Sequence, residues 1–235
     1  MKLITKATLT TLVALTVSQS AYAGLSANVG MTTDYRYRGI SQNDKAIAIQ
    51  GGFDYEDDGF YVGIWGSSVD FQVQTLDDAT AEVDVYAGFT GSIDDSEIDY
   101  SVGFLHYSYP NSDSSLNYNF TEITASLSYD IYALNYGHTS DYFAGSGSAD
   151  YINVSADFAL SEAISLGVAI GHQTVDDNAA WGTPDWTDYK IGLSGTVAEL
   201  DLEVAYIGTD LDQAECFGGS DWCDGTIVLT VSKSM

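Results

Sequence analysis

The chain is short of positive charge. Its 235 residues hold seven lysines and arginines against 34 aspartates and glutamates. Such a surface repels phosphate, which excludes nucleic acid as a partner. Proline is nearly absent, with two residues, and no Pro/Gly/Ser tract divides the chain. That pattern implies one domain rather than two. Cys216 and Cys223 have no further cysteine near them with which to build a zinc site. No apolar run beyond the leader approaches the roughly 18 residues that a membrane helix requires.

The first residues read MKLITKATLTTLVALTVSQSAYA. Lys2 and Lys6 make a positive start, Leu9 to Val17 an apolar stretch, and Ala21-Tyr22-Ala23 a small-residue cleavage site. This is the pattern of a secretory signal peptide over 1–23. Residues 24–235 are then the mature chain and a single domain. Loss of Lys2 and Lys6 moves the net charge from −27 by two further units to −29.

The dominant signal is alternation. Ile164, Leu166, Val168 and Ile170 alternate with Ser165, Gly167, Ala169 and Gly171; Leu200, Leu202, Val204 and Tyr206 alternate with Asp201, Glu203 and Ala205. A period of two gives strands with one apolar and one polar face. About twelve such segments follow one another: 25–37, 46–55, 60–71, 80–90, 97–108, 119–129, 131–141, 150–160, 163–174, 187–197, 200–209 and 225–235. In 60–71 the apolar face is ambiguous. Either Tyr61, Trp65, Val69 and Phe71 or Phe60, Val62 and Ile64 form it. Long and short links alternate, so one end collects the long loops and the other tight turns.

These features predict an all-β, closed antiparallel up-and-down transmembrane β-barrel, with short periplasmic turns and longer extracellular loops. A secreted β-sandwich also has alternating strands, but does not normally sort its loops by end. Tyrosines near strand ends (Tyr35, Tyr37, Tyr55, Tyr129, Tyr132, Tyr136, Tyr189 and Tyr206) fit membrane girdles. The segment 225–235 keeps Ile227, Leu229, Val231 and Met235 in phase; such barrels usually finish in an apolar or aromatic residue, and Met235 in place of Phe is an imperfect match. Pairing it with 25–37 leaves no free edge, as lipid demands.

Two arginines stand close together in TDYRYRGISQ, residues 33–42. If Val29, Met31, Tyr35 and Tyr37 face lipid, then Asp34, Arg36 and Arg38 face the lumen. Lipid-facing arginine at mid-depth costs about 2–4 kcal/mol. The same phase turns Asp54, Glu82, Asp84, Asp99, Glu122, Asp157, Asp188, Lys190, Asp201 and Glu203 inward. The lumen is therefore acidic, with Arg36, Arg38 and Lys190 as counter-charges. Small inward residues in 163–174 and 187–197 leave space for a narrow water path, and no loop is long enough to be a large folded plug.

DYRYRGISQ, GGFDYE, GFYVGIWGSSVDF and the final VLTVSKSM resemble the Gcw_chp family of proteobacterial proteins. The resemblance runs along the whole mature chain and is strongest over 25–71. It implies an exported, outer-membrane β-protein. The family brings no established function and no catalytic or binding residues.

Other clusters carry less. His106, His138 and His172 fall near the outer ends of alternate strands, on the lipid side. Strands two apart lie about 10 Å apart, too far to share a metal with bonds of about 2 Å. His138 with Ser140 and His106 with Ser108 are i, i+2 pairs about 7 Å apart along a strand, and no G-x-S-x-G elbow is present. No catalysis, metal or cofactor is expected. Cys216 and Cys223 are expected to form a loop disulfide, closing an eight-residue ring. Asp57 with Asp58, Asp77 with Asp78, Asp94 with Asp95, and Asp176 with Asp177 read as solvated turns. Outer-loop carboxylates are expected to share divalent cations with lipopolysaccharide. The sequence thus points to a small passive outer-membrane channel, mildly cation-preferring, with a closed structural or surface-interaction barrel as the alternative.

Overall fold

The computed structural model describes residues 24–71, 79–94, 96–110 and 112–235. The expected leader at 1–23 lies outside the described residues, as do Asp77, Asp78 and Asp95.

The wall begins with Gly24–Thr32 (β1). Arg36–Tyr37 (β2) and Ile40–Ser41 (β3) form a small separate hairpin. Then follow Ala48–Asp57 (β4), Phe60–Ser68 (β5), Ala81–Ser92 (β6) and Ile98–Ser108 (β7). Next are Phe120–Tyr129 (β8), Tyr132–Thr139 (β9), Ala149–Ala159 (β10) and Ser165–Val175 (β11). Trp186–Val197 (β12), Leu200–Thr209 (β13) and Thr226–Ser234 (β14) complete the wall. Twelve of these strands close into one antiparallel barrel, in which β1 pairs with β14 on one side and β4 on the other.

Orientation follows the alternation. Phe53, Ile123 and Ile227 are 59%, 65% and 70% exposed on the outside of the wall. Apolar side chains so bare are not the dry middle of a sandwich; they form a belt suited to hydrocarbon. Tyr55, Tyr129, Tyr132, Tyr136 and Tyr206 are also exposed, and Tyr189 stacks on Tyr206. The β5 ambiguity resolves in favour of Phe60, Val62 and Ile64 outward. Ile64 is exposed, whereas Tyr61 is buried in the lumen.

The two ends differ as the links imply. At the turn end, β4 meets β5 through Asp58-Gly59 and β12 meets β13 through Ala198-Glu199. All four residues have positive φ, the two-residue turn that matches strand twist. The opposite, loop end carries, among the described residues, 33–47, 69–71, 79–80, 109–110, 112–119, 140–148, 176–185 and 210–225.

Two expectations need correction. The first strand does not run to residue 37; its wall pairing stops near Thr32 and Thr33. Tyr35 and Tyr37 are consequently not girdle residues. Tyr35 packs on Trp65 and Tyr37 on Tyr107, both inside. The reason is the hairpin, whose alternation continues that of β1 while its backbone turns into the lumen. The lumen nevertheless holds a small insert. The hairpin and an aromatic cluster that includes Phe71, Tyr109, Tyr118, Phe120, Tyr142, Phe143 and Trp186 fill the loop end of the barrel.

A candidate site in the barrel lumen

The hairpin turns at Arg38-Gly39, with φ of 47° and 84° and Tyr37 opposite Ile40. Glycine is required there twice over. Its φ is strained for other residues, and a Cβ would lie 2.7 Å from the Gly208 carbonyl oxygen and 2.9 Å from Asp188 Cβ. The tip therefore rests on β12 and β13. Trp186, wholly buried, donates its Nε1–H to the Arg38 carbonyl at 2.9 Å.

Arg36 holds the hairpin to itself and to the last loop. Its Nε donates to Asp34 Oδ2 at 2.8 Å, and its Nη1 to the carbonyls of Gly39 and Asp224 at 2.8 Å each. Ser41 Oγ donates to the other Asp34 oxygen at 2.6 Å. The same loop holds the hairpin's base. Ser41 N–H donates to the Trp222 carbonyl at 3.0 Å, and Trp222 Nε1–H to Asp44 Oδ1 at 2.8 Å. Lys45 pairs with Asp221 at 2.8 Å. The hydrogen bond from Lys45 holds the Asp221 carboxyl below the ordinary aspartate range. Cys216 and Cys223 form a disulfide within this loop, with both residues 0% exposed.

Arg38 crosses to other strands. Nη2 donates to Glu122 Oε1 and Oε2 on β8 at 2.7 and 2.8 Å. Nη1 donates to Gln173 Oε1 on β11. The guanidinium carbon lies 4.6 Å from the Tyr37 ring centroid and 4.2 Å from that of Tyr151 on β10. Gly137 on β9 makes room, since a Cβ there would come within 3.3 Å of Glu122 Oε2 and 3.4 Å of Arg38 Nη2.

Other inward carboxylates use tyrosines. Glu82 accepts from Tyr35 at 2.8 Å and Tyr109 at 3.0 Å, with Asp84 wholly buried two residues along. Asp188 accepts from Tyr151 at 2.9 Å, and Asp54 from Tyr86. Toward the turn end, Lys190 pairs with Glu203 at 2.8 Å, and Asp157 is half-buried. Asp99 accepts from Ser92 at 2.6 Å and Asp201 from Thr196 at 2.7 Å, both at the rim. Small side chains line this half, among them Asn28, Ser101, Ser126, Ser155 and Ser194. Between the two halves, a cavity of about 10 Å³ lies among Arg36, Arg38, Tyr151, Asp188 and Lys190, room for about one water.

The structure thus gathers Asp34, Arg36, Arg38, Glu122 and Asp188 around the hairpin. Asp157, Lys190 and Glu203 lie below it, and Asp54, Asp99 and Asp201 stand apart. Sequence reasoning missed Gln173, Tyr151 and Trp186. Their signal was large polar or aromatic side chains on the inward phase of otherwise small-residue strands.

The histidines lie outside. Nδ1 of His106 is 2.8 Å from Thr121 Oγ1, and that of His172 is 3.2 Å from Thr187 Oγ1. That of His138 is 3.0 Å from Asp150 Oδ1. Among the described residues no group of three or more His, Cys, Asp or Glu is arranged to hold a metal.

Among solved structures, the chain is similar to the KdgM porin, with a TM-score of 0.56, 10% identity, and 89% of this chain and 99% of that one covered. The NanC porin gives 0.53 and 10%, covering 89% and 98%. An outer membrane channel from Pseudomonas putida F1 gives 0.50 and 10%, covering 92% and 97%. At such identity these likenesses concern the fold alone. No curated protein matches the chain in sequence. The family model described as "Bacterial protein of unknown function (Gcw_chp)" matches residues 17–235, and the chain belongs to that family.

Proposed function

We propose that this protein is exported by the leader at 1–23 and inserts residues 24–235 in the bacterial outer membrane as a narrow passive channel. The loop end faces outward and the turn end the periplasm. The observation that carries this reading is the half-barrel below the hairpin, lined by small polar side chains, where Asp157 and Glu203 face Lys190. Carboxylates outnumber Lys190 there, so the path favours cations. The porin-like fold supports the reading, and no catalytic role is proposed. Outer-membrane lipid and lipopolysaccharide are the surrounding partners, with divalent cations bridging their phosphates to loop carboxylates. That bridge fails if chelators leave heat stability in lipopolysaccharide unchanged.

A second reading has its own support. The hairpin and the aromatic cluster fill the loop end, as a closed barrel with a structural or surface role requires. Side chains, not strand number alone, decide whether such a lumen is open. Single-channel recording with a potassium chloride gradient separates the two. The channel reading expects conductance with potassium favoured over chloride; silence at all voltages favours the closed barrel.

A further inference from the structure

We propose that the wall at the loop end is a guanidinium-binding site, filled in this structure by the protein's own Arg38, and that the solute it admits is a small guanidinium-bearing cation. This rests on the channel reading and names its solute class.

The wall builds the site largely without the hairpin. Glu122 presents both carboxylate oxygens, and Tyr107 donates to one of them at 3.2 Å. Gln173 presents its carbonyl oxygen because its amide nitrogen is committed elsewhere, to the carbonyls of Asp150 and Thr174 at 3.2 and 2.9 Å. Tyr151 supplies a ring face, and its hydroxyl is tied to Asp188. A carboxylate, an amide oxygen and an aromatic face, each fixed by bonds to the wall, match the plane and donors of a guanidinium. Such preorganisation lowers the cost of binding. An ammonium has neither that plane nor that fork.

The occupant is a side chain from outside the wall. Arg38 arrives on a hairpin whose strands are two residues each. A free guanidinium reaching the wall competes with the Arg38 side chain alone, because Trp186 holds the Arg38 carbonyl and the last loop holds Arg36, Ser41 and Lys45. The abundance of carboxylates raises the local concentration of such cations.

The test uses full-length mature protein and agmatine, with 1,4-diaminobutane as the ammonium control at equal ionic strength. In micelles, R38A vacates the wall. Agmatine at about ten times its dissociation constant is expected to raise the R38A melting temperature by about 3–6 °C. Diaminobutane is expected to give no comparable rise, and R38A/E122Q to lose the response. R38Q, which keeps most of the side-chain length, serves in the same assay if R38A does not fold. Equal responses to both amines, or none in a folded variant, overturn the site. In bilayers, an agmatine gradient across the native protein is expected to set a reversal potential. Conductance of potassium without agmatine overturns the solute assignment. Silence toward every ion overturns the channel reading instead, while the micelle assay still judges the site.

Discussion

Arg38 and Glu122 stand 84 residues apart in the chain and 2.7 Å apart in space, both inside the barrel. Removing one partner strands the other's charge in a buried place. Glu122→Ala is expected to lower stability by about 3–5 kcal/mol, read from urea unfolding in lipid vesicles. Arg38→Met with Glu122→Met removes both charges and is expected to lose less. A double variant as unstable as the single one contradicts this account.

Gly39→Ala tests the hairpin's seat. A methyl at the tip meets the Gly208 carbonyl oxygen, Thr209 and Asp188. The tip must lift from β12 and β13. The expected outcome is a larger single-channel conductance in a barrel that still assembles. An unchanged current in a folded variant counts against the hairpin as the constriction.

The disulfide is expected to act on the hairpin at one remove. It closes the loop that bonds to Arg36, Ser41, Asp44 and Lys45. Replacing Cys216 and Cys223 by serine is expected to cost about 2–3 kcal/mol in the chain-entropy model and to increase current noise from a loosened hairpin. Because both cysteines are wholly buried, a reductant is expected to leave the native bond intact until the protein is unfolded. Thiol labelling before and after denaturation checks this.

Lys190→Met removes the cation that faces Asp157 and Glu203 in the half-barrel below the hairpin. The reversal potential is expected to move further toward potassium. A move toward chloride contradicts the assignment of these carboxylates to the ion path.

Asp221 provides a titration test outside the membrane-spanning strands. Its carboxyl is held below the ordinary range by the Lys45 bond, so its NMR midpoint is expected below about 3.9. In Lys45→Ala the midpoint is expected to rise toward that value. The contact's contribution is present above the unfolded aspartate pKa and is lost as pH falls through the lowered one.

Much of the wall was legible because lipid and lumen impose opposite demands on successive side chains. Ile191 and Leu193 against Lys190 and Gly192 show the rule in one strand. The hairpin was hidden by the same rule. Tyr35, Arg36 and Tyr37 alternate as wall residues do, yet the backbone has already left the wall. The one local sign of departure is Arg38-Gly39, a dipeptide with glycine where a two-residue turn demands it. Gln173 could not be assigned its role in advance. Its partner arrives from 135 positions away, a distance that no periodicity encodes.

The seam has a consequence for assembly. Asn28 pairs with Ser234, and Thr32 with Thr230, so the first wall strand waits for some two hundred residues before it finds that neighbour. Neighbouring hairpins form locally, but the ring becomes edgeless only when this most distant pairing is made. Until then two unsatisfied borders persist, each a template for the wrong chain. The maturing polypeptide must therefore be shielded until it closes on itself.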